Sequence, residues 1–197
     1  METATVRAMV KAILQRAEHF AWEVPANGRL TLVLEPNVTV INVFHSKYRV
    51  PNSTAIHSHT MDFRSDIVGG VMRQHRYLRS EFIHDRRVSR YWEQELSLGG
   101  KLLGIPEECS LAEGPVETYA AGQFYEITSD EIHQSLPEDG TVTLITRQHK
   151  TVPLSVSTFW PYAPIAEGAK PSEKVVPGIA NVAVIADVVS CALEQWF

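Results

Sequence analysis

Residues 55–70 read AIHSHTMDFRSDIVGG, and they place two histidines one residue apart in a β-like stretch that ends on a glycine pair. Side chains at positions i and i+2 of a strand project from the same face. We therefore expect His57 and His59 to converge on one point. Neutral imidazole is the commonest metal-binding side chain, and two imidazoles on one face can hold an ion when another strand supplies a third ligand. The alternative is a pair of solvated or hydrogen-bonded histidines.

The sequence on both sides of this stretch indicates a mainly β protein. Short runs rich in β-branched and aromatic residues are separated by turn signals. These runs are LTLVLEP (30–36), VTVINVFHSKYRV (38–50), DIVGGVMRQHRYL (66–78), PVETYAAGQFYEI (115–127), TVTLITRQ (141–148) and LSVSTFW (154–160). Since no long helix separates them, we expect an antiparallel sandwich or barrel rather than a βαβ sheet. Residues 73–106 are charged and loosely patterned, and we expect a long connection or an edge ribbon there.

Both ends of the chain carry helical patterns. In residues 1–24 apolar side chains recur at intervals of three and four residues, which predicts an amphipathic N-terminal helix. Residues 178–197 have similar spacing and predict a C-terminal helix packed on the barrel. With 197 residues the chain is long enough for one full hydrophobic core. We therefore expect a single domain over residues 1–197, with a β-barrel at 30–160.

The composition argues against several classes of partner. The formal net charge is -5 with a pI near 5.9, so no basic excess favours nucleic acid. The run from Arg73 to Arg90 interleaves arginines with aromatic residues, a pattern that can bind single-stranded nucleic acid, but acidic residues dilute it. No run approaches the roughly 20 apolar residues of a membrane helix, and the N-terminus does not resemble a secretory signal. Two cysteines fit a reducing compartment, so we expect a cytoplasmic protein.

A second histidine element follows the first in GQFYEITSDEIHQSLP, which begins at Gly122. Together the two elements resemble the two motifs of the cupin superfamily. The matching positions are His57, His59 and Gly70 in the first motif and Gly122 and His133 in the second. The ligand positions are kept, whereas most of the motifs' turn residues are replaced, with Pro51 in place of the first glycine. The resemblance covers roughly residues 30–160.

A cupin fold would be a double-stranded β-helix, which is a jelly-roll barrel that holds one metal ion at its mouth. The resemblance assigns His57, His59 and His133 as the metal ligands. Many cupins add a glutamate, but its position falls here on Phe63 or Arg64, and neither can bind a metal.

Asp62 is adjacent to the missing glutamate position. A shift of one residue in register turns a side chain to the opposite face of a strand, so whether Asp62 is a fourth ligand stays open. Three neutral imidazoles keep the full divalent charge and leave coordination positions open. Among cupins this ligand set resembles the thiol dioxygenases of the cysteine dioxygenase type, although Arg147 stands where that family places a tyrosine.

Several side chains are candidates to act on a substrate. Tyr125 can donate a proton or orient an oxygen. Arg64 and Arg147 can hold a carboxylate or phosphate through the planar guanidinium, and so can Arg73. Each has a plainer alternative, which is packing for the tyrosine and a surface salt bridge for each arginine.

These features predict a metal-dependent cupin enzyme, and the first hypothesis is a non-haem iron dioxygenase that acts on a small polar or anionic organic substrate. Fe(II) is the expected metal, and zinc, nickel, manganese and copper suit the same ligands. The alternatives are a metal-dependent lyase, isomerase or hydrolase, and a non-catalytic ligand-binding cupin. We expect a small-molecule substrate, no nucleic-acid or membrane partner, and a homodimer, as the resemblance implies.

Overall fold

A computed structural model of the chain describes residues 3–24, 27–36, 38–49, 56–81, 88–97, 102–148, 155–161 and 178–197. In chain order its elements are α1 (Thr3–Leu14), a short 3-10 helix (Ala17–His19), β1 (Glu23–Val24), β2 (Asn27–Glu35), β3 (Thr39–Arg49), β4 (Ile56–His57), β5 (Phe63–Gly69), β6 (Val71–Arg79), β7 (Val88–Ser97), β8 (Leu102–Ala120), β9 (Phe124–Ile127), β10 (Ile132–Pro137), β11 (Val142–Arg147), β12 (Ser155–Pro161), β13 (Gly178–Ile179) and α2 (Val182–Trp196).

The strands form two antiparallel sheets. The first, which we call the seven-stranded sheet, has the order β13-β1-β2-β3-β11-β5-β9. The second closes on itself in the order β10-β4-β12-β7-β8-β6, and we call it the six-stranded barrel. The prediction of a mainly β chain with a helix near each end is therefore confirmed.

The expectation of a long connection or edge ribbon over residues 73–106 is wrong. The described residues there form parts of β6, β7 and β8, and β8 pairs with both of the other strands in the barrel. Tyr91 and Leu96 of β7 are buried, whereas Arg79 and Glu93 form an ion pair at 2.5 Å near the surface. The buried residues of β7 are Tyr91, Gln94 and Leu96, which do not follow a strict period of two, so the usual strand pattern is missing from the sequence.

The two helices cover one face of the seven-stranded sheet. Helix α2 begins at Val182, where the Asn181 side chain caps it by accepting a hydrogen bond from the Val184 N–H at 3.0 Å. The buried side chains that join helices and sheet include Val6, Val10, Leu14, Leu30, Leu32, Ile41, Val43, Leu144, Val188 and Ala192. Neither helix in the described part of the chain has the length and hydropathy needed to cross a bilayer.

Two further core clusters lie on the two sides of the barrel wall. Inside the barrel, each strand contributes one buried side chain, namely Ile56, Tyr77, Tyr91, Leu111, Ile132 and Phe159. The second cluster, which we call the inter-sheet layer, joins the seven-stranded sheet to β6 and contains Phe44, Phe63, Ile67, Met72, Tyr125 and Ile127. Successive strand residues point to opposite faces, so the residues that follow Ile56 and Ile132 point away from the barrel interior.

We predict that docking of α2 stabilises the whole fold. Val188 is 1% exposed, so Val188→Ala should lower the free energy of unfolding by about 2 kcal/mol through lost apolar burial and a small cavity. Val182 lies on the same helix and is 68% exposed, so Val182→Ala is a matched control that also corrects for the higher helix propensity of alanine. Urea unfolding monitored by circular dichroism measures both variants. Equal effects of the two substitutions would contradict the docking.

Candidate metal centre

Strand pairing brings two of the histidines together. His57 ends β4 and lies directly opposite His133 of β10 in an antiparallel register. Ile56 and Ile132 precede them and are buried inside the barrel. The two imidazoles therefore leave the barrel wall on its outer side, toward the inter-sheet layer.

His59 reaches the same point by a different route from the one expected. Strand β4 ends at His57, so the two histidines do not lie two residues apart on one strand. His59 lies in the segment after β4, where its backbone N–H donates to the Ser129 carbonyl at 3.3 Å. Its ring contacts the Phe63 ring edge-on, with the centroids 4.7 Å apart. This contact fixes the imidazole at the border of the inter-sheet layer.

The three imidazoles form one compact group. A ligand nitrogen of each of His57, His59 and His133 lies within 4.8 Å of the others, and the ring centroids are 4.7 to 5.0 Å apart. The Nε2 atoms of His59 and His133 face each other at 2.8 Å. Two ring nitrogens at this distance need either a proton on one of them, which forms a hydrogen bond, or a cation bound between them. The donor set fits a divalent first-row metal.

Gln74 fixes the orientation of the most buried imidazole. His133 is 1% exposed, and its Nδ1 lies 2.8 Å from Oε1 of Gln74 on β6. An amide oxygen only accepts hydrogen bonds, so the proton of His133 belongs on Nδ1 and the lone pair of Nε2 faces the histidine group. The Ser135 hydroxyl donates to the same oxygen at 3.1 Å. Metal-binding histidines commonly have such a partner on the second ring nitrogen.

The electrostatic environment favours the neutral form of His59 and His133. Burial lowers the pKa of His59 well below 6.5, and the charges of His57, His133, Arg29 and Arg147 lower it further. Burial also lowers the pKa of His133, with help from His57 and Arg76. A neutral imidazole is the form that binds a metal.

Two of the candidate catalytic residues lie toward the histidine group. Tyr125 is 5% exposed in the inter-sheet layer, with its ring centroid 6.4 Å from that of Phe63. Arg147 lies opposite Phe63 in the pairing of β11 with β5, and cross-strand partners share a face. The positive charge of Arg147 is one of the influences that lower the pKa of His59. The roles of Tyr125 and Arg147 on a substrate stay predictions.

Arg64 and Arg73 lie elsewhere. Arg64 follows Phe63 on β5 and therefore projects from the opposite face, where it donates to Asp66 at 2.7 Å and stacks over the Phe124 ring at 3.6 Å. Arg73 is exposed on β6. The structure thus does not bring either arginine to the histidines, because strand alternation puts Arg64 on the face of β5 opposite Phe63 and Arg73 on the face of β6 opposite Gln74.

Asp62 does not belong to the group of three histidines, among the described residues, that could hold a metal ion. Its carboxylate is buried and accepts a hydrogen bond from the Ser129 N–H at 2.8 Å. Ser129 is the residue whose carbonyl accepts the His59 N–H. Asp62 therefore helps to hold the segment that carries His59.

Sequence reasoning did not identify three polar residues near the site. Gln74 contacts His133, Ser65 is fully buried on β5, and the charge of Arg29 on β2 acts on His59. Gln74 and Ser65 lie within stretches that were expected to be β-like, whereas Arg29 directly precedes the predicted strand at 30–36. A polar residue within a strand-like stretch can indicate a buried polar site, but the sequence does not show whether its side chain lies on the inner or the outer face of the strand.

Comparisons with known proteins do not identify a family. Neither protein-family models nor curated proteins match the sequence. One solved structure matches, the crystal structure of Drosophila melanogaster CENP-C bound to CAL1, with 8% identity and a TM-score of 0.32. The match covers 72% of this chain and 95% of that chain. At this TM-score the match carries no inference about fold or function.

We predict that protein purified without chelator holds a stoichiometric divalent metal, measured by elemental analysis. His133→Ala should remove most of it, because the variant loses the ligand that Gln74 orients. The matched control is His75→Ala, since His75 also lies on a barrel strand but contacts Tyr77 at 3.0 Å. Undiminished metal in the His133 variant would exclude His133 as a ligand.

We also predict that the metal-free protein loses stability in mild acid. The folded chain holds the pKa of His59 and His133 below 6.5, so below about pH 6.5 the unfolded chain binds protons that the folded chain excludes. Stability should be complete above that pH and fall below it, by up to about 1.4 kcal/mol per pH unit for each histidine. Urea unfolding in chelator across this range measures the slope. His133→Phe should flatten it, and an unchanged slope in that variant would contradict the assignment.

Proposed function

We propose that the protein is a metal-dependent enzyme of the cupin type, with a metal ion on His57, His59 and His133. The observation that carries the proposal is the convergence of three ligand nitrogens within 4.8 Å, with one ring oriented by a buried amide. A jelly-roll arrangement of the two antiparallel sheets is part of the proposal. So are a cytoplasmic location and a homodimer.

The reaction we favour is oxidation of a small polar or anionic organic molecule by dioxygen. Fe(II) is the proposed metal, and on three neutral ligands it would keep its charge and offer open positions for substrate and dioxygen. Buried arginine charge beside the histidines supports an anionic substrate.

The protein's own side chains have separate tasks in this proposal. Gln74 holds the Nε2 lone pair of His133 toward the metal position. Phe63 and Tyr125 belong to the buried cluster beside the histidines, and their rings exclude water from that side. Burial raises the pKa of Tyr125, so its phenol stays protonated at neutral pH and can donate a hydrogen bond or a proton.

We predict that Fe(II)-loaded protein consumes dioxygen when a substrate from a panel of small organic acids is added, measured with an oxygen electrode. Zn(II)-loaded protein should consume none, because zinc has no redox chemistry. Tyr125→Phe should lower kcat about 100-fold if the phenol moves a proton, with metal content unchanged. Tyr91→Phe is the matched control, since Tyr91 is buried inside the barrel.

The result also separates the alternative reactions. Substrate turnover without oxygen uptake, supported equally by zinc, would replace oxidation with Lewis-acid chemistry at the same histidines. Equal losses in the Tyr91 and Tyr125 variants would assign Tyr125 to packing alone.

A further inference from the structure

The segment from His59 to Asp62 is closed over one residue of a neighbouring turn. This turn consists of residues 128–131, which join β9 to β10, and we call it the β9–β10 turn. The His59 N–H donates to the Ser129 carbonyl at 3.3 Å, and the Asp62 carboxylate accepts from the Ser129 N–H at 2.8 Å. The two ends of the segment therefore bind both backbone groups of one turn residue.

Asp62 is held on its other side by the seven-stranded sheet. It directly precedes β5, and its carbonyl accepts the Gln148 N–H at 2.9 Å just after β11 ends. Asp62 is 8% exposed, and a hydrogen bond to a carboxylate is stronger than one between neutral groups. The carboxylate therefore ties the β9–β10 turn to the edge of that sheet.

Glu131 holds the opposite end of the same turn. Its carboxylate accepts the Thr128 N–H at 2.8 Å and the Thr128 hydroxyl at 3.3 Å. It also forms an ion pair with Arg76, which lies directly opposite His133 in the pairing of β6 with β10. The turn is thus bound to the barrel strand beside one histidine and to the segment that carries another.

Of the three histidines, His59 depends most on this turn. His57 and His133 are fixed by strand pairing, because they lie opposite each other in β4 and β10. His59 lies beyond the end of β4, where Phe63 contacts its ring and Ser129 binds its backbone. A loosened turn should therefore displace His59 and leave the other two imidazoles in place.

We propose that Asp62 and Glu131 are positioning residues for the metal centre. They fix the β9–β10 turn, and the turn holds His59 within reach of the metal through the backbone of Ser129. This deepens the proposed function by naming what controls metal affinity, and it rests on that function for the metal itself. Asp62 acts here as a hydrogen-bond acceptor and not as a fourth ligand, so an uncharged oxygen at the same position should replace it.

The test of Asp62 measures zinc affinity by competition with a chromophoric chelator, together with the visible absorption spectrum of Co(II)-loaded protein. Asp62→Ala should lower the affinity 10- to 100-fold, which is about the cost of losing a group that orients a ligand, and should alter the spectrum. Asp62→Asn should keep both, because its amide oxygen also accepts the Ser129 N–H. Asp139→Ala is the control, since Asp139 accepts the Ser46 N–H at 2.7 Å in a different turn and should leave both unchanged.

Glu131→Ala tests the other end of the turn and should lower zinc affinity about tenfold. Its matched control is Glu117→Ala, because Glu117 also pairs with Arg76, at 2.8 Å, but does not belong to the turn. The two variants lose the same negative charge beside the same arginine. An equal loss of affinity in both would assign the effect to charge and overturn the role of Glu131.

Hydrogen exchange in metal-free protein tests the hold on His59 without any metal. Asp62→Ala should speed exchange of the His59 amide about tenfold relative to Asp62→Asn, while amides of β11 stay protected. Unchanged exchange would overturn the proposal. Wild-type protein that binds neither zinc nor cobalt would instead overturn the metal centre of the proposed function.

The variants at Asp62 also separate positioning from ligation. Equal losses of affinity in Asp62→Ala and Asp62→Asn would make the carboxylate a ligand and overturn the positioning role. Unchanged affinity in Asp62→Ala would overturn it as well. If Asp62→Ala does not fold, equal affinities of Glu131→Ala and Glu117→Ala overturn the proposal.

Discussion

The direct pairing of His57 with His133 across β4 and β10 is the constraint on which the site depends. The preceding residues of both strands are buried inside the barrel, and this burial fixes which face each imidazole takes. A slip of one residue would put the histidines into the apolar interior and the isoleucines outside it, at a large cost in free energy. The hydrophobic core of the barrel therefore determines the position of the polar site.

The inter-sheet layer combines two environments that rarely coexist. On one side, rings such as Phe63 and aliphatic side chains such as Ile67 close it to water. On the other, it holds three imidazoles, a fully buried glutamine and the buried Nε of Arg29. Interactions between charges are stronger in such surroundings than in water, so a few groups suffice to attract and orient a ligand.

Much of this arrangement could be predicted from the sequence. Short β-rich runs with turn signals predicted the strand-rich class, and the apolar period predicted both terminal helices. Spacing paired His57 with His59, whereas His133 was assigned by the resemblance to the cupin motifs. The route of His59 could not be predicted, because strand β4 ends at His57 and backbone spacing does not reveal where a strand stops. Arg64 was a candidate and Arg29 was not, because composition cannot tell the inner face of a strand from the outer one. Strand β7 was missed because its buried residues do not alternate strictly, and only residues 115–120 of β8 lay within a predicted strand.

Gln74 has one further consequence, which follows from the rigidity of its amide. Its oxygen is held by the ring of His133, and its nitrogen faces the region of Arg29 and Tyr125. Because the two ends of a planar amide cannot turn independently, a partner that captures the nitrogen also restrains the oxygen. Anything bound at one end would then change affinity at the other by a factor that thermodynamic linkage makes equal in both directions. A single side chain thus connects the histidine group with the Tyr125 phenol.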